Sequence, residues 1–383
     1  MLTEEEGYKN IQEVRIMRNK FLILCWLTLL MVVAVACSND SDAKNDGEFD
    51  LRASTAFNKN HVMFGHAESW MNEVEERTDG KVHFEVFTSE ELIEAGKEYD
   101  GLNSGLADLG VGMLPGYDPQ RFPLTEVTLL PLTETSLDIA MEAYLNLFES
   151  DVELQDGKTF YELEWEDEGI KALPAIITPE YLMSSTEDQI NSKENISNLK
   201  LRTAARTHDF YAENIGANTI SMPATDMYDA LSRGALDGSF LSIADWNTYG
   251  FNELLKSTLE GVSLGHYAGV TGFTQEQWDE FPENVQEIMV ETNKDMLPKE
   301  IEKLKQRTKE NKKSNLEQGG KFVNLDDLDP DVQKLLISGL EKTWKDWIDA
   351  MEEEGHPGLE IARLWRDLIL EAGGDVPEGV KEL

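Results

Sequence analysis

The stretch 198–241, NLKLRTAARTHDFYAENIGANTISMPATDMYDALSRGALDGSFL, constrains the fold more than any other. Leu199 and Leu201 alternate with Lys200 and Arg202, the period-two pattern of a half-buried strand. Thr207 offers a helix N-cap, Tyr211 and Ile215 follow on one face, and Gly216 supplies a left-handed stop. A second strand is predicted over 219–222. Thr225 and Asp226 then start a helix that turns Met227, Ala230 and Leu231 inward and ends at Gly234. A third strand follows over 236–241. This alternation is half of a doubly wound α/β lobe, whose strand ends conventionally face a ligand crevice.

Residues 51–114 read as the same plan. A strand over 51–55 precedes a helix over 61–77, with Phe64, Ala67, Trp70, Met71 and Val74 inward and Asp79-Gly80 closing it. Val82, Phe84 and Val86 alternate as a strand; a helix over 89–104 and a strand from Ala107 follow. The two units end alike, Gly105-Leu106-Ala107-Asp108 against Gly234-Ala235-Leu236-Asp237. Two lobes of one architecture are expected, although common α/β units also resemble each other by chance. Elsewhere, 123–131 reads as extended, 136–148 as an amphipathic helix, 170–177 as a strand leaving the first lobe and 262–273 as the return crossing. Residues 278–311 read as a long helix bent at Pro298, and Trp344, Trp347, Ile361 and Trp365 as further amphipathic helix.

A chain of 383 residues is long enough for two domains with a full-sized core. Its net charge of −40 argues against a nucleic-acid partner, since no basic stripe is available to release counterions. The simplest meaning of that charge is a heavily solvated acidic surface.

Residues 1–36 read as a signal peptide: Arg18 and Lys20 precede an apolar run from Phe21 to Ala36 that is too short for a comfortable membrane span. The acidic Glu4-Glu5-Glu6 does not fit the basic start of such a peptide, which points to Met17 as an alternative first residue. Ala34-Val35-Ala36-Cys37 is similar to a bacterial lipobox, with an ordinary secretory signal as the alternative. The only cysteines are Cys25 and Cys37, so lipidation of Cys37 explains a cysteine at a cleavage site before a cysteine-free body. Residues 37–49 then read as a lipidated, polar tether on the extracytoplasmic face of the cell membrane.

Catalytic signatures are absent: there is no Gly-x-Ser-x-Gly, His-Glu-x-x-His, Walker loop or Gly-x-Gly-x-x-Gly. The six histidines are scattered and read as solvated. Asp326, Asp327, Asp329 and Asp331 lack the glycine of a calcium loop and read as caps for the next helix. Neither a metal nor a cofactor is expected.

The central stretch resembles the solute-binding proteins of TRAP (tripartite ATP-independent periplasmic) transporters. The residues that carry the resemblance are Leu199-Lys200-Leu201-Arg202, Gly216-Ala217, Asp226-Met227-Tyr228-Asp229-Ala230-Leu231 and Gly234-Ala235-Leu236-Asp237-Gly238, and the similarity extends over most of the chain beyond Leu51. One departure is Asn198, where the family usually has glycine. The resemblance implies a two-lobed periplasmic-binding-protein-like fold, with two doubly wound lobes joined by hinge crossings and a long helix. Lobe 1 is expected to comprise 50–177 plus 267–306, and lobe 2 to comprise 178–266 plus 307–383.

On pattern alone Arg202 reads as a surface arginine, because it shares its strand face with Lys200. The resemblance implies instead that it binds a ligand carboxylate, for which a guanidinium offers a planar fork of donors. By the same resemblance Phe240 and Leu241 face the ligand, Leu182 stands where a relative has a second arginine, and Phe57, Glu94 and Met113 are the first-lobe counterparts. Phe240 and Met113 read equally well as core. One anchor in apolar surroundings favours a monocarboxylate with a hydrophobic or aromatic body over a dicarboxylate. The implied function is capture of a small organic acid by cleft closure and delivery to a sodium-coupled TRAP permease. A binding protein of an ABC-type importer and an exported enzyme are the alternatives.

Overall fold

The computed structural model describes residues 47–187 and 190–383, so the readings of 1–36 and of Cys37 lie outside the described residues. The first sheet contains β1 (Phe49–Ser54), β2 (Val82–Phe87), β3 (Leu109–Met113), β4 (Ile170–Pro174) and β10 (Val270–Thr274), in the order β2-β1-β3-β10-β4. The second contains β5 (Tyr181–Ser185), β6 (Lys200–Thr203), β7 (Asn218–Ser221), β8 (Gly238–Ser242), β9 (Ser257–Glu260) and β11 (Lys321–Asn324), in the order β11-β9-β5-β8-β6-β7.

One plan builds both sheets. In the first, β1 lies parallel between β2 and β3, and β3 meets antiparallel β10. In the second, β6 lies parallel between β7 and β8, and β8 meets antiparallel β5. The similar endings of the two units set the register in each. Asp108 accepts from the Arg52 backbone N–H at 2.7 Å and returns its own N–H to the Arg52 carbonyl at 2.9 Å. Asp237 does the same with Lys200, at 3.0 and 2.9 Å.

The longer helices are α1 (Val62–Arg77), α2 (Leu137–Phe148), α3 (Arg206–Asn214), α4 (Glu283–Glu317), α5 (Pro330–Glu354) and α6 (Gly358–Glu371). The inward positions read for α1 are all buried, and Trp70 donates to the Met289 carbonyl at 3.0 Å. Asp329 caps α5, with Pro330 at the first helical position.

Three local readings give way to tertiary or backbone effects. Residues 89–104 form a helix only over Glu98–Asn103; Ser89 and Glu90 have φ of 59° and 62°, which excludes a right-handed helical start there. Residues 124–129 form a 3₁₀ helix rather than an extended segment. The buried Glu164 carboxylate accepts from the N–H groups of Leu124 at 2.9 Å and Thr125 at 2.7 Å, and so satisfies its start from forty residues away. The histidines are mostly not solvated, since His61, His66, His208 and His266 are buried.

Helix α4 touches both lobes. Asn293 donates to the Pro174 carbonyl at 2.8 Å, on the first sheet. Arg307 Nε donates to the Ala244 carbonyl at 2.8 Å and Asn311 to that of Ile243 at 2.8 Å, beside the second. Pro298 lies between these attachments and removes one helical hydrogen bond where a bend would fall.

The two chain crossings run side by side. Thr178 N–H donates to the Tyr267 carbonyl at 3.0 Å, and Ala175 N–H to that of Gly269 at 2.9 Å. His266 is fully buried beside them, with Nδ1 2.9 Å from the Thr178 carbonyl and Nε2 2.9 Å from Thr135 Oγ1. A carbonyl only accepts, so Nδ1 carries the proton. Burial lowers the pKa of His266 to about 4, against the help of the Thr178 bond.

The folded protein therefore holds His266 neutral down to about pH 4, whereas the unfolded chain takes a proton below its ordinary value of 6.5. Its contribution is complete above that value and is lost as pH falls towards 4. Urea unfolding from neutral pH to pH 5 should show the parent losing stability relative to His266→Gln, with the slope steepening below 6.5 towards about 1.4 kcal/mol per pH unit. Parallel stability curves for the two proteins would show that His266 titrates normally in the folded state.

Candidate ligand-binding cleft

β6 carries Arg202 to the inner end of the second sheet. Lys200, on the same strand face, stays exposed at the strand's start, while Leu201, Arg202 and Thr203 are buried. Arg202 is 1% exposed; its Nε donates to the Met222 carbonyl at 2.8 Å and its Nη1 to the Phe240 carbonyl at 3.3 Å. These carbonyls aim the guanidinium without neutralising it. Asp237 fixes the register that sets Leu201 opposite Gly238 and Arg202 opposite Ser239. Gly238 is required there, because a Cβ would lie 2.2 Å from the Ser184 carbonyl oxygen on β5.

Arg202 lines a cavity with residues from both sides of the cleft. Phe57, His61, Met63, Leu114 and Tyr117 come from the first-lobe side, and Ala224, Leu241, Asp245 and Tyr249 from the second. Thr178, Tyr181 and Tyr267 come from the crossings and their ends. The cavity measures about 20 Å³, on the order of one water, so the cleft is shut in this conformation. A larger open groove of about 1050 Å³ lies beside α4 and shares His61 with the cleft, but Arg202 does not reach it.

The cleft walls are mainly aromatic. Phe57 stacks on His61 with centroids 3.8 Å apart, and Tyr267 lies 5.7 Å from Tyr117 and 5.9 Å from Tyr181. Gly116 makes room for the Tyr267 hydroxyl, which a Cβ would approach to 2.5 Å. Burial raises the phenol pKa values of Tyr181, Tyr249 and Tyr267 and keeps them neutral.

Asp245 is the acidic group in this wall and is only 2% exposed. Burial pushes its pKa up to about 7, while the Arg307 and Arg202 charges pull it down. His61 Nε2 lies 3.6 Å from Asp245 Oδ1, too far for a hydrogen bond. Burial, with the Arg307 charge, lowers His61 to about 3, so its imidazole is neutral. Among the described residues no group of three or more His, Cys, Asp or Glu side chains converges as a metal site.

The structure brings Arg202, Leu241 and Phe57 together at the cavity. The side chains of Phe240, Leu182, Met113 and Glu94 lie elsewhere. Phe240 packs against His208 and Tyr211, and only its carbonyl serves the cleft. Leu182 is buried on β5, where its neighbour Tyr181 faces the cavity. Met113 folds back over Gly110 and Gly272, where Cβ atoms would meet its sulfur at 2.5 and 2.9 Å. Glu94 is exposed, in the turn region that precedes the short helix. The sequence did not nominate Asp245, His61 or the tyrosines; the available signal was a lone acid in the apolar run from Phe240 to Trp246.

Comparison with known proteins places this geometry among extracytoplasmic receptors. The family model of the bacterial extracellular solute-binding protein, family 7, matches residues 53–359. A solute-binding protein of Albidiferax ferrireducens is 19% identical over 283 residues, covering 72% of this chain and 78% of its own. A TRAP solute-binding protein from an unidentified marine microbe, specific for aromatic acid ligands and solved with metahydroxyphenylacetate, superposes with a TM-score of 0.72. The two are 18% identical, and the match covers 85% of this chain and 100% of that one. A Bordetella bronchiseptica TRAP protein with bound mandelate gives a TM-score of 0.70 at 18% identity, covering 84% and 99%. With its two sheets of one plan, its closed interlobe cleft and a family match over most of its length, the chain belongs to the bacterial extracellular solute-binding proteins of family 7.

Proposed function

We propose that this protein is the receptor of a TRAP transporter and captures a monocarboxylate with an aromatic or hydrophobic body. The observation that carries this reading is Arg202, buried at a strand end with only main-chain carbonyls as bonded partners and an aromatic wall around it. A buried guanidinium without a counter-anion is completed by a carboxylate, which it grips bidentately. Apolar ring faces suit the remainder of such a ligand. The ligands bound to the similar proteins above, metahydroxyphenylacetate and mandelate, are of this class.

Binding proceeds by closure. We take 50–177 plus 267–306 as one lobe and 178–266 plus 307–383 as the other, hinged at the paired crossings and at Pro298 of α4. The cavity of about 20 Å³ admits no aromatic acid, so the lobes part for entry and close over the ligand, which stabilises the shut state by differential affinity. A sodium-coupled permease then reads the shut state. Cys37 anchors the receptor to the outer face of the membrane through its lipid, and the residues between it and β1 act as the tether.

Arg202→Ala should cost about 2–5 kcal/mol of binding, roughly thirty- to several-thousand-fold in affinity for a carboxylate identified by thermal-shift screening. Arg202→Lys should also bind poorly, since a point charge does not reproduce the fork. Calorimetric titration in which Arg202→Ala binds as tightly as the parent would disprove the carboxylate anchor. Small-angle scattering should show compaction when that acid saturates the protein, and an unchanged profile would count against a closing cleft. Cys37→Ser should release the protein from the membrane fraction; mass spectrometry showing an unmodified mature terminus away from Cys37 would remove the lipid anchor.

A further inference from the structure

Within the carboxylate-receptor reading, on which this inference rests, two polar groups of the cleft wall are left over. Asp245 Oδ1 is buried without a hydrogen-bond partner. The acid sits at the end of the 3₁₀ turn Ile243–Asp245 that follows β8, in the same cavity as Arg202. Opposite it stands His61, whose protonation pattern is fixed by its neighbour. Nδ1 accepts the Met63 backbone N–H at 3.2 Å, so the ring proton of the neutral imidazole is on Nε2. That N–H faces Asp245 Oδ1 across 3.6 Å, a gap wider than a hydrogen bond. One acceptor and one donor thus meet without satisfying each other. A group that donates to the acid and accepts from the imidazole completes both.

We propose that Asp245 and His61 form a subsite that reads a hydroxyl on the ligand body, so that this receptor selects a hydroxylated aromatic monocarboxylate. A hydroxyl is both donor and acceptor; an ammonium only donates, and an ether or ketone only accepts. Charge bookkeeping favours the same group. Arg202 and Arg307 are the cations that act on Asp245, and neither has a carboxylate partner within salt-bridge distance among the described residues. The guanidiniums outnumber the one acid of the cleft wall, which leaves room for an anionic group of the ligand. The ligand carboxylate supplies it, and a hydroxyl adds no charge. A second carboxylate would leave an uncompensated buried anion, and an ammonium an uncompensated cation, each costly at low dielectric. A site built to hydrogen-bond a ligand hydroxyl also rejects the analogue that lacks it, because its own polar groups are then left unpaired.

The test is calorimetric titration of the full mature protein with phenylacetate and benzoate, their three ring-hydroxy isomers and the corresponding methoxy ethers. At least one hydroxy isomer should bind about tenfold or more tighter than both its parent acid and its ether. In Asp245→Ala that ratio should collapse to about one, whatever happens to the absolute affinities. The inference is overturned if parents and ethers bind as tightly as every hydroxy isomer, or if the ratio survives in Asp245→Ala. Should that variant not fold, the hydroxy-against-ether comparison on the unaltered protein decides alone. If parent acids bind in an Arg202-dependent way without a hydroxyl preference, only the subsite falls; if no acid of the panel binds, the aromatic-carboxylate reading falls and takes the subsite with it.

Discussion

A guanidinium held out of water by main-chain carbonyls alone is the constraint to which the rest of this molecule answers. Desolvating a charge costs several kcal/mol unless something compensates it, and the carbonyls of Met222 and Phe240 compensate only in part. Arginine tolerates this better than lysine because its delocalised cation is weakly hydrated. The arrangement also needs strands that end in register. Asp237 ties β8 to Lys200, and Gly238 lets β8 lie against β5, so the Gly-x-x-Asp-Gly sequence acts as a device for aiming Arg202 rather than as a ligand contact. Its first-lobe counterpart, Asp108 on Arg52, performs the same alignment where no buried arginine follows.

This division explains what was legible in the chain. Strand and helix order depends on local period and on glycine stops, and both lobes could be read from it. The site was legible only where it coincided with a strand end, at Arg202, Leu241 and Phe57. β5 and β8 are buried on both faces, so no polar alternation reveals which residues look into the cleft. The family resemblance points to Leu182 where Tyr181 faces the cavity, and to Phe240 as well as its neighbour Leu241. Glu94 reads as helical from the sequence, yet it lies in the turn region before Glu98. Tyr117, Tyr181, Tyr249 and Tyr267 converge only through the topology, and no local pattern joins them. His61 illustrates the same limit: it reads as a solvated side chain, yet it caps α1 and forms part of the cleft wall.

Two crossings joined by Thr178, Tyr267 and His266, together with a helix that contains Pro298, connect the lobes. A hinge of this kind works only if its buried polar groups stay paired through the motion. His266 answers that requirement, since both ring nitrogens have partners and the proton position is fixed. By contrast, His61 and Asp245 remain unmatched in the shut cleft. Pairing at the hinge gives a defined axis of movement, while the unmatched pair at the cleft leaves part of the closing free energy to be supplied by the ligand.

The surface charge bears on how that ligand arrives. A body with net charge −40 repels an organic anion at long range. At physiological ionic strength that repulsion decays over about 8 Å, whereas charges buried in the cleft are screened far less. Arg202 therefore dominates the potential felt by an anion already inside the cleft and contributes little to one still outside. Such a profile favours retention over capture rate. It also places the free energy of recognition where the lobes meet, because the attraction becomes strong only as closure excludes water from around the guanidinium. On the proposed reading closure and specificity are one event: the carboxylate would satisfy Arg202 in full only in the state that also brings the rest of the ligand against Asp245, His61 and the tyrosine wall.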